Sequence, residues 1–99
     1  MIEVIKSETF ERWVAKLKDR QAVSRINARI RRLSETGNFG DVKPAREGVS
    51  EMRIDCGPGY RLYLMQRGMV LVVLLAGSNK STQDADIKRA IEIAKEWRN

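Results

Sequence analysis

Four residues suited to phosphate chemistry lie in one stretch of the sequence: Arg53, Arg61, Tyr63 and Lys80. Arginine and lysine bind phosphate, and such donors can stabilise the charge that develops on a pentacoordinate phosphorus during RNA cleavage. A guanidinium stays charged, so it is a poor proton-transfer group. A site of this kind could orient a 2′-hydroxyl and neutralise a phosphate, but proton transfer would need help from its surroundings.

Other catalytic chemistries are missing from the sequence. There is no histidine, which excludes imidazole acid–base catalysis and histidine metal sites. The one cysteine, Cys56, excludes an internal disulfide and, with scattered carboxylates, gives no zinc-like spacing. The segment Gly57-Pro58-Gly59 fits a hairpin turn and not a phosphate-binding loop. We therefore expect no cofactor and no metal, and Cys56 is predicted to be a core residue.

Length and charge set the broad class of the protein. The chain has 99 residues, which predicts one globular domain over residues 1–99. Its net charge of +6 favours an anionic partner: nucleic acid, an acidic protein or a membrane surface. The longest apolar run, Met69–Ala76, is far shorter than the roughly 20 residues that span a bilayer. With one cysteine and no signal-like N-terminus, the sequence predicts a cytoplasmic protein.

The elements that would position these residues begin with a strand and a helical hairpin. Residues Ile2–Ile5 alternate like a strand, and Ser7 is a candidate N-cap for the first helix. Asp19 can cap a second helix, and Gly37 follows it where a C-terminal glycine is expected. Two apolar stripes at helical spacing mark the inner faces: Phe10, Trp13, Val14 and Leu17, then Val23, Ile26, Ile30 and Leu33. The short connection predicts that the two helices are antiparallel.

Two groups of cations lie outside the predicted strands. The first is a row on the outer face of the second helix: Arg25, Arg29 and Arg32. This row is either an ordinary solvated face or a surface that contacts phosphate or an acidic partner. The second is in the segment Asn38–Gly48, which has no apolar run and is predicted to be a loop. Its Lys43 and Arg46 could reach over the sheet.

A three-stranded meander follows. Apolar and polar residues alternate in Val49–Cys56 and again in Tyr60–Arg67, which predicts two strands with one buried face. If a three-residue turn joins them, the apolar sets share a face. The predicted cross-strand pairs are Cys56 with Tyr60, Asp55 with Arg61, Ile54 with Leu62, and Arg53 with Tyr63. This register collects Arg53, Arg61 and Tyr63 on the polar face, where Asp55 could instead hold Arg61 in a plain ion pair.

The third strand and a last helix complete the prediction. Met69–Ala76 has no polar alternation, which is typical of a strand buried on both faces. Lys80 follows in a polar loop, and Ser81 or Thr82 is a candidate cap for the C-terminal helix, Ser81 in a capping box with Asp84. The inner stripe of that helix is Ile87, Ala90, Ile91 and Ala94.

This order of elements resembles that of the RelE/ParE toxin superfamily, and the local sequence is similar to the HigB-like addiction module killer protein branch. The segments that carry the resemblance are FERWVAKLKDRQAVSRINARIRRL, GNFGDVKPAREGVSEMRID, GPGYRLYL and LLAGSNKSTQDADIKRA, which cover nearly the whole chain. The resemblance implies an α+β fold of order β-α-α-β-β-β-α. Its small, mainly antiparallel sheet would be packed by an N-terminal helical hairpin and a C-terminal helix.

The resemblance also implies site residues. The segment YRLYL supplies Arg61, EMRI supplies Arg53, and the loop after the last strand supplies Lys80. Together with Tyr63 these are the expected catalytic residues, while Lys43 from GDVKP and Arg46 would steer RNA. Better-studied relatives often carry a tyrosine or histidine near the terminal helix, where this chain has TQDAD. Tyr63 is a candidate substitute for the missing group.

The function implied is that of the toxin in a type II toxin–antitoxin system, a ribosome-dependent endoribonuclease that cuts messenger RNA. Its partners would be the ribosome, messenger RNA and a cognate antitoxin with a helix-turn-helix domain, HigA-like, with oligomers formed mainly with that antitoxin. Two alternatives share the fold: a non-enzymatic gyrase inhibitor of the ParE type, and an inactive module that only binds its antitoxin.

Overall fold

The computed structural model describes residues 2–68, 70–79 and 81–97 as an α+β domain. Five strands and three helices follow one another along the described chain. They are β1 (Glu3–Lys6), α1 (Glu8–Lys16), α2 (Arg20–Thr36), β2 (Val42–Arg46), β3 (Val49–Ile54), β4 (Tyr60–Arg67), β5 (Leu71–Asn79) and α3 (Gln83–Trp97). No helix in the described ranges combines the length and the apolar composition that a membrane crossing requires.

The strands form one mixed sheet in the order β1-β5-β4-β3-β2. The β1–β5 pair is parallel and the other three pairs are antiparallel, so the sheet is mainly antiparallel. Helices α1 and α2 cover one face through a cluster that includes Phe10, Ile26 and Leu62. Helix α3 covers the other face through a cluster that includes Tyr63, Leu75 and Ile91. The predicted α+β fold with a small, mainly antiparallel sheet packed by N-terminal and C-terminal helices is confirmed. The predicted order β-α-α-β-β-β-α is wrong by one strand, because β2 lies between α2 and the meander.

The helix ends follow the capping residues of the sequence. The Ser7 hydroxyl accepts a hydrogen bond from the Phe10 amide, and the Asp19 carboxylate accepts one from the Ala22 amide. Gly37 ends α2 in the left-handed region, at φ 73°, as a C-terminal glycine should. These three predicted caps are confirmed.

The segment Asn38–Gly48 is not simply a loop, because it contains strand β2. The prediction was wrong here because Pro44 and the cations of β2 hide the strand pattern. Proline removes a backbone donor, which is tolerated at an edge, and β2 is an edge strand of the sheet. Its turn into β3 has positive φ at both Glu47 and Gly48, the backbone of a two-residue hairpin loop.

The predicted register of the β3–β4 hairpin is also wrong, by two residues. Ile54 lies opposite Tyr60, and Arg53 lies opposite Arg61. The connection is longer than expected, because β3 ends at Ile54 and the Gly59 amide donates to the Cys56 carbonyl within the turn. A slip of two residues leaves every side chain on its predicted face but changes its partners. Asp55 therefore does not face Arg61.

Strand β5 begins at Leu71 and ends at Asn79, later than the predicted Met69–Ala76, and Met69 itself lies outside the described residues. All positions from Val72 to Ser78 are buried, which confirms a strand covered on both faces. A β-bulge interrupts its pairing, since Tyr63 faces Ala76 while Leu64 faces Leu74.

One close approach joins α1 to β5. The indole of Trp13 lies directly on Gly77, so that a Cβ atom at this glycine would overlap the ring. Phe10 and Tyr60 flank the indole, with ring centroids 6.0 Å and 6.1 Å from it. Helix α1 can therefore approach β5 this closely only over a residue without a side chain.

Candidate functional site

The centre of the candidate site is Arg61 at the start of β4. Its Nε lies 2.6 Å from Oε2 of Glu51 on β3, in an ion pair whose N–H direction does not meet hydrogen-bond geometry. Its Nη1 donates a hydrogen bond of 3.0 Å to Oε1 of Gln83, the first residue of α3. The guanidinium is thus held between the sheet and the helix, with 20% of the side chain exposed.

Glu51 is the buried carboxylate of this cluster, with 6% of the residue exposed. It lies in one row of the sheet between Lys43 on β2 and Tyr63 on β4. The Lys43 ammonium lies 3.9 Å from Oε1, while Arg61 contacts Oε2. A buried charge is tolerated when opposite charges offset its desolvation, and two cations surround this one. Glu51 and Gln83 are the two residues of the cluster that sequence reasoning did not assign to the site.

Arg53 lies directly opposite Arg61 on the neighbouring strand. Like charges at facing positions repel, and Nε of Arg53 is buried without a hydrogen-bond partner among the described residues. An anion between the two guanidinium groups would offset the repulsion and supply acceptors. The sheet therefore brings together Arg53 and Arg61, two of the predicted site residues, in an arrangement that suits phosphate.

The prediction of a row of cations on the outer face of α2 is wrong for one of the three residues, Arg29. Arg29 donates to the carbonyls of Arg53 and Phe39, at 2.8 Å and 2.9 Å, and so ties the segment before β2 to strand β3. Burial lowers the pKa of its guanidinium from the ordinary value. Arg25 and Arg32 are exposed. Arg29 thus supports the backbone beneath Arg53 and is not part of an open basic face.

Tyr63 lies deeper than the polar-face prediction implied. Helix α3 covers it completely, and its hydroxyl lies 3.0 Å from the Ser78 hydroxyl and donates to the Gln83 carbonyl at 3.4 Å. Burial raises the pKa of the Tyr63 phenol, more than the hydrogen bond to Ser78 lowers it. The ring is also not opposite Arg53, as predicted, but opposite Glu51.

We expect the free energy of unfolding to fall less steeply with rising alkaline pH in Tyr63→Phe than in the wild type. The pKa of Tyr63 in the folded protein is above the unfolded value of about 10. Burial of the neutral phenol therefore contributes fully to stability below about pH 10, and this contribution is lost as the pH rises through the folded-state pKa. Urea unfolding at neutral pH and above about pH 10 measures this difference. Some slope should remain, because burial raises the pKa of Tyr60 as well. Equal alkaline slopes in wild type and variant would contradict the assignment.

Lys43 and Arg46 lie on the edge strand β2, beside a groove of about 580 Å³ between that strand and the start of α3. Arg46 pairs with Asp84 at 3.2 Å, and half of each side chain or more is exposed. Lys88 and Arg46 together lower the pKa of the Asp84 carboxyl. Lys80 lies outside the described residues.

One signal for Glu51 was present in the sequence, since the alternation of apolar and polar residues in β3 places it on the same polar face as Arg53. Its partner could not be derived, because that required the correct register. Gln83 gave no signal, because its role depends on how α3 lies against the sheet. In the part of the chain that is described, no group of three or more histidine, cysteine, aspartate or glutamate residues could hold a metal ion.

Fold and site together define a small α+β domain with two arginines paired across adjacent strands and a buried carboxylate beside them. The chain is similar to a protein of Haemophilus influenzae that is described only as an uncharacterized protein. The two are 52% identical over 95 residues, which cover 96% of this chain and 95% of that protein. The chain therefore belongs to the same family as this protein. No protein-family model matches the chain.

Proposed function

We propose that this protein is the toxin of a type II toxin–antitoxin system, of the RelE/ParE superfamily and its HigB-like branch, and that it cuts messenger RNA on the ribosome. The observation that carries the proposal is the facing pair Arg53 and Arg61, with a buried Nε on Arg53 that has no hydrogen-bond partner in the described part of the chain. Two such cations suit a phosphodiester better than they suit an uncharged ligand.

In the proposed reaction the 2′-oxygen of a nucleotide bonds to the adjacent phosphorus, and the bond from phosphorus to the 5′-oxygen breaks. The products are a 2′,3′-cyclic phosphate and a 5′-hydroxyl. Arg53 and Arg61 would stabilise the negative charge that develops on the phosphoryl oxygens in the transition state. Such electrostatic stabilisation is usually the largest single contribution to enzymatic rate enhancement. Water or groups of the ribosome would carry the protons, because the hydroxyl of Tyr63 is enclosed beneath α3.

The charge of the protein suits the proposed partners. A net charge of +6 favours RNA, and Lys43 and Arg46 on the edge strand would guide the transcript toward the arginine pair. An antitoxin with a helix-turn-helix domain would cover the same surface with an acidic segment. Toxin and antitoxin would both act in the cytoplasm.

The test is to map 5′ ends by primer extension on a translated messenger RNA after induction of the protein. We expect new 5′ ends with the wild type and about a hundredfold less cleavage with Arg53→Gln, the usual loss when one charge-stabilising donor is removed. Arg25→Gln is the matched control, because it removes the same charge from an exposed position on α2. Growth arrest without new 5′ ends would contradict the proposal.

One observation favours the non-enzymatic alternative, inhibition of gyrase. Among the described residues that were predicted to be catalytic, none offers an open group for proton transfer, since Tyr63 is buried and Arg53 and Arg61 stay charged. A DNA supercoiling assay separates the two functions. Inhibition of gyrase by the purified protein, without messenger RNA cleavage, would establish the alternative, whereas no growth arrest at all would indicate an inactive, antitoxin-binding module.

A further inference from the structure

We infer that Glu51 is a positioning residue, which holds the guanidinium of Arg61 in the orientation that receives a phosphate. The inference rests on the proposed function and adds a residue to it. Glu51 is more buried than either arginine, and it does not need to touch RNA to act in this way.

The contacts of Arg61 leave one side of the guanidinium open. Glu51 occupies the Nε side, and Gln83 accepts from Nη1. Nη2 makes no such contact with the residues that the structure describes, and one fifth of the side chain is exposed, so this nitrogen is the one left to meet an anion. A planar guanidinium fixed on two sides presents its remaining N–H groups in one direction, which lowers the entropy cost of binding an anion.

Charge gives Glu51 a second effect on the same residue. Arg53 and Arg61 face each other, and their repulsion would turn Arg61 away from the pair if nothing held it. The carboxylate of Glu51, on the same strand as Arg53, attracts Arg61 back toward the sheet. Within the cluster itself three cations, Lys43, Arg53 and Arg61, accompany the one carboxylate of Glu51. Two further carboxylates, Asp41 and Asp55, line the pocket of the two arginines, so the orientation of Arg61 and not the net charge is what Glu51 contributes.

The experiment compares Glu51→Gln with wild type for binding of a 2′-O-methyl oligoribonucleotide, which cannot be cut, and for cleavage on programmed ribosomes. We expect binding about tenfold weaker and a cleavage rate lower by a similar factor, with partial recovery in Glu51→Asp. Gln83→Ala should shift both in the same direction. Glu96→Gln, an exposed position on α3, is the matched control. Melting temperatures confirm that each variant is folded.

A double-mutant cycle decides whether Glu51 acts through Arg61. If it does, Glu51→Gln has no further effect once Arg61→Gln is present. Additive losses would overturn the inference. Tighter binding by Glu51→Gln would also overturn it, because the carboxylate would then compete with phosphate. Normal binding with lost cleavage would overturn it too, since Glu51 would then act on the reaction itself.

Failure of the proposed function gives a different result. Wild-type protein would then neither bind nor cut RNA, while the Nε–H resonance of Arg61 in the free protein would still report the contact. We expect this resonance to exchange slowly with water in the wild type and rapidly in Glu51→Gln. The same fast exchange in both proteins would overturn the positioning role, whatever the protein does with RNA.

Discussion

Replacing Gly77 with alanine is expected to lower the free energy of unfolding by about 2–3 kcal/mol, the upper range for an overpacked core. The added methyl group would overlap the six-membered ring of the Trp13 indole. The ring cannot easily move aside, because Phe10 and Tyr60 flank it. The backbone of Gly77 is not in the left-handed region, so the cost comes from the methyl group and not from the conformation. Urea unfolding monitored by tryptophan fluorescence measures it.

The control for Gly77→Ala is the same substitution in a Trp13→Ala background. With the indole removed, the added methyl group has room, and its cost should fall below about 1 kcal/mol. Trp13→Ala is destabilising by itself. The comparison is therefore between the cost of Gly77→Ala in the wild type and its cost in the Trp13→Ala variant. Equal costs in the two backgrounds would show that the overlap with Trp13 is not the cause.

Replacing Arg61 with alanine is expected to destabilise the fold by about 2–3 kcal/mol, in addition to its effect on cleavage. The reason is that Glu51 would stay buried without its nearest cation. Removal of one partner from a buried ion pair typically costs about 3–5 kcal/mol. The cost should be lower here, because one fifth of the Arg61 side chain is exposed and Lys43 remains near Glu51. Chemical denaturation of the purified variant is the measurement.

Arg61→Ala with Glu51→Gln is the matched double variant. It removes the stranded negative charge, so most of the lost stability should return although the site has lost both groups. If the double variant is no more stable than Arg61→Ala, burial of an unpaired Glu51 is not the reason for the loss. Activity measurements on Arg61 variants are best interpreted alongside this comparison, because unfolding alone would also abolish cleavage.

The elements with strong periodicity could be predicted from the sequence. Three caps, at Ser7, Asp19 and Gly37, mark helix ends that depend only on neighbouring residues. The faces of β3 and β4 were predicted because alternation determines them. The register was not, since an even-numbered slip preserves the faces, and only the length of the turn distinguishes one register from the next. Strand β2 was missed because an edge strand with Pro44 has little apolar pattern.

The candidate site was predictable only as a group of residue types. Alternation placed Arg53 and Arg61 on one face, and the structure makes them direct neighbours. It could not show that the same face divides into an open end with Arg61 and a covered part with Tyr63. That division depends on where α3 crosses the sheet. The partner of Glu51 likewise depends on the register, which local patterns do not determine.

The parallel pairing of β1 with β5 has a consequence for biosynthesis. Strand β1 is made first, yet its only strand partner in the described sheet is the last strand to be made. During translation helices α1 and α2 can form early, but β1 must wait until the chain has been extended past residue 74. Gln83, which fixes Arg61, follows later still. A nascent chain therefore lacks the complete arginine cluster until the start of α3 has been made.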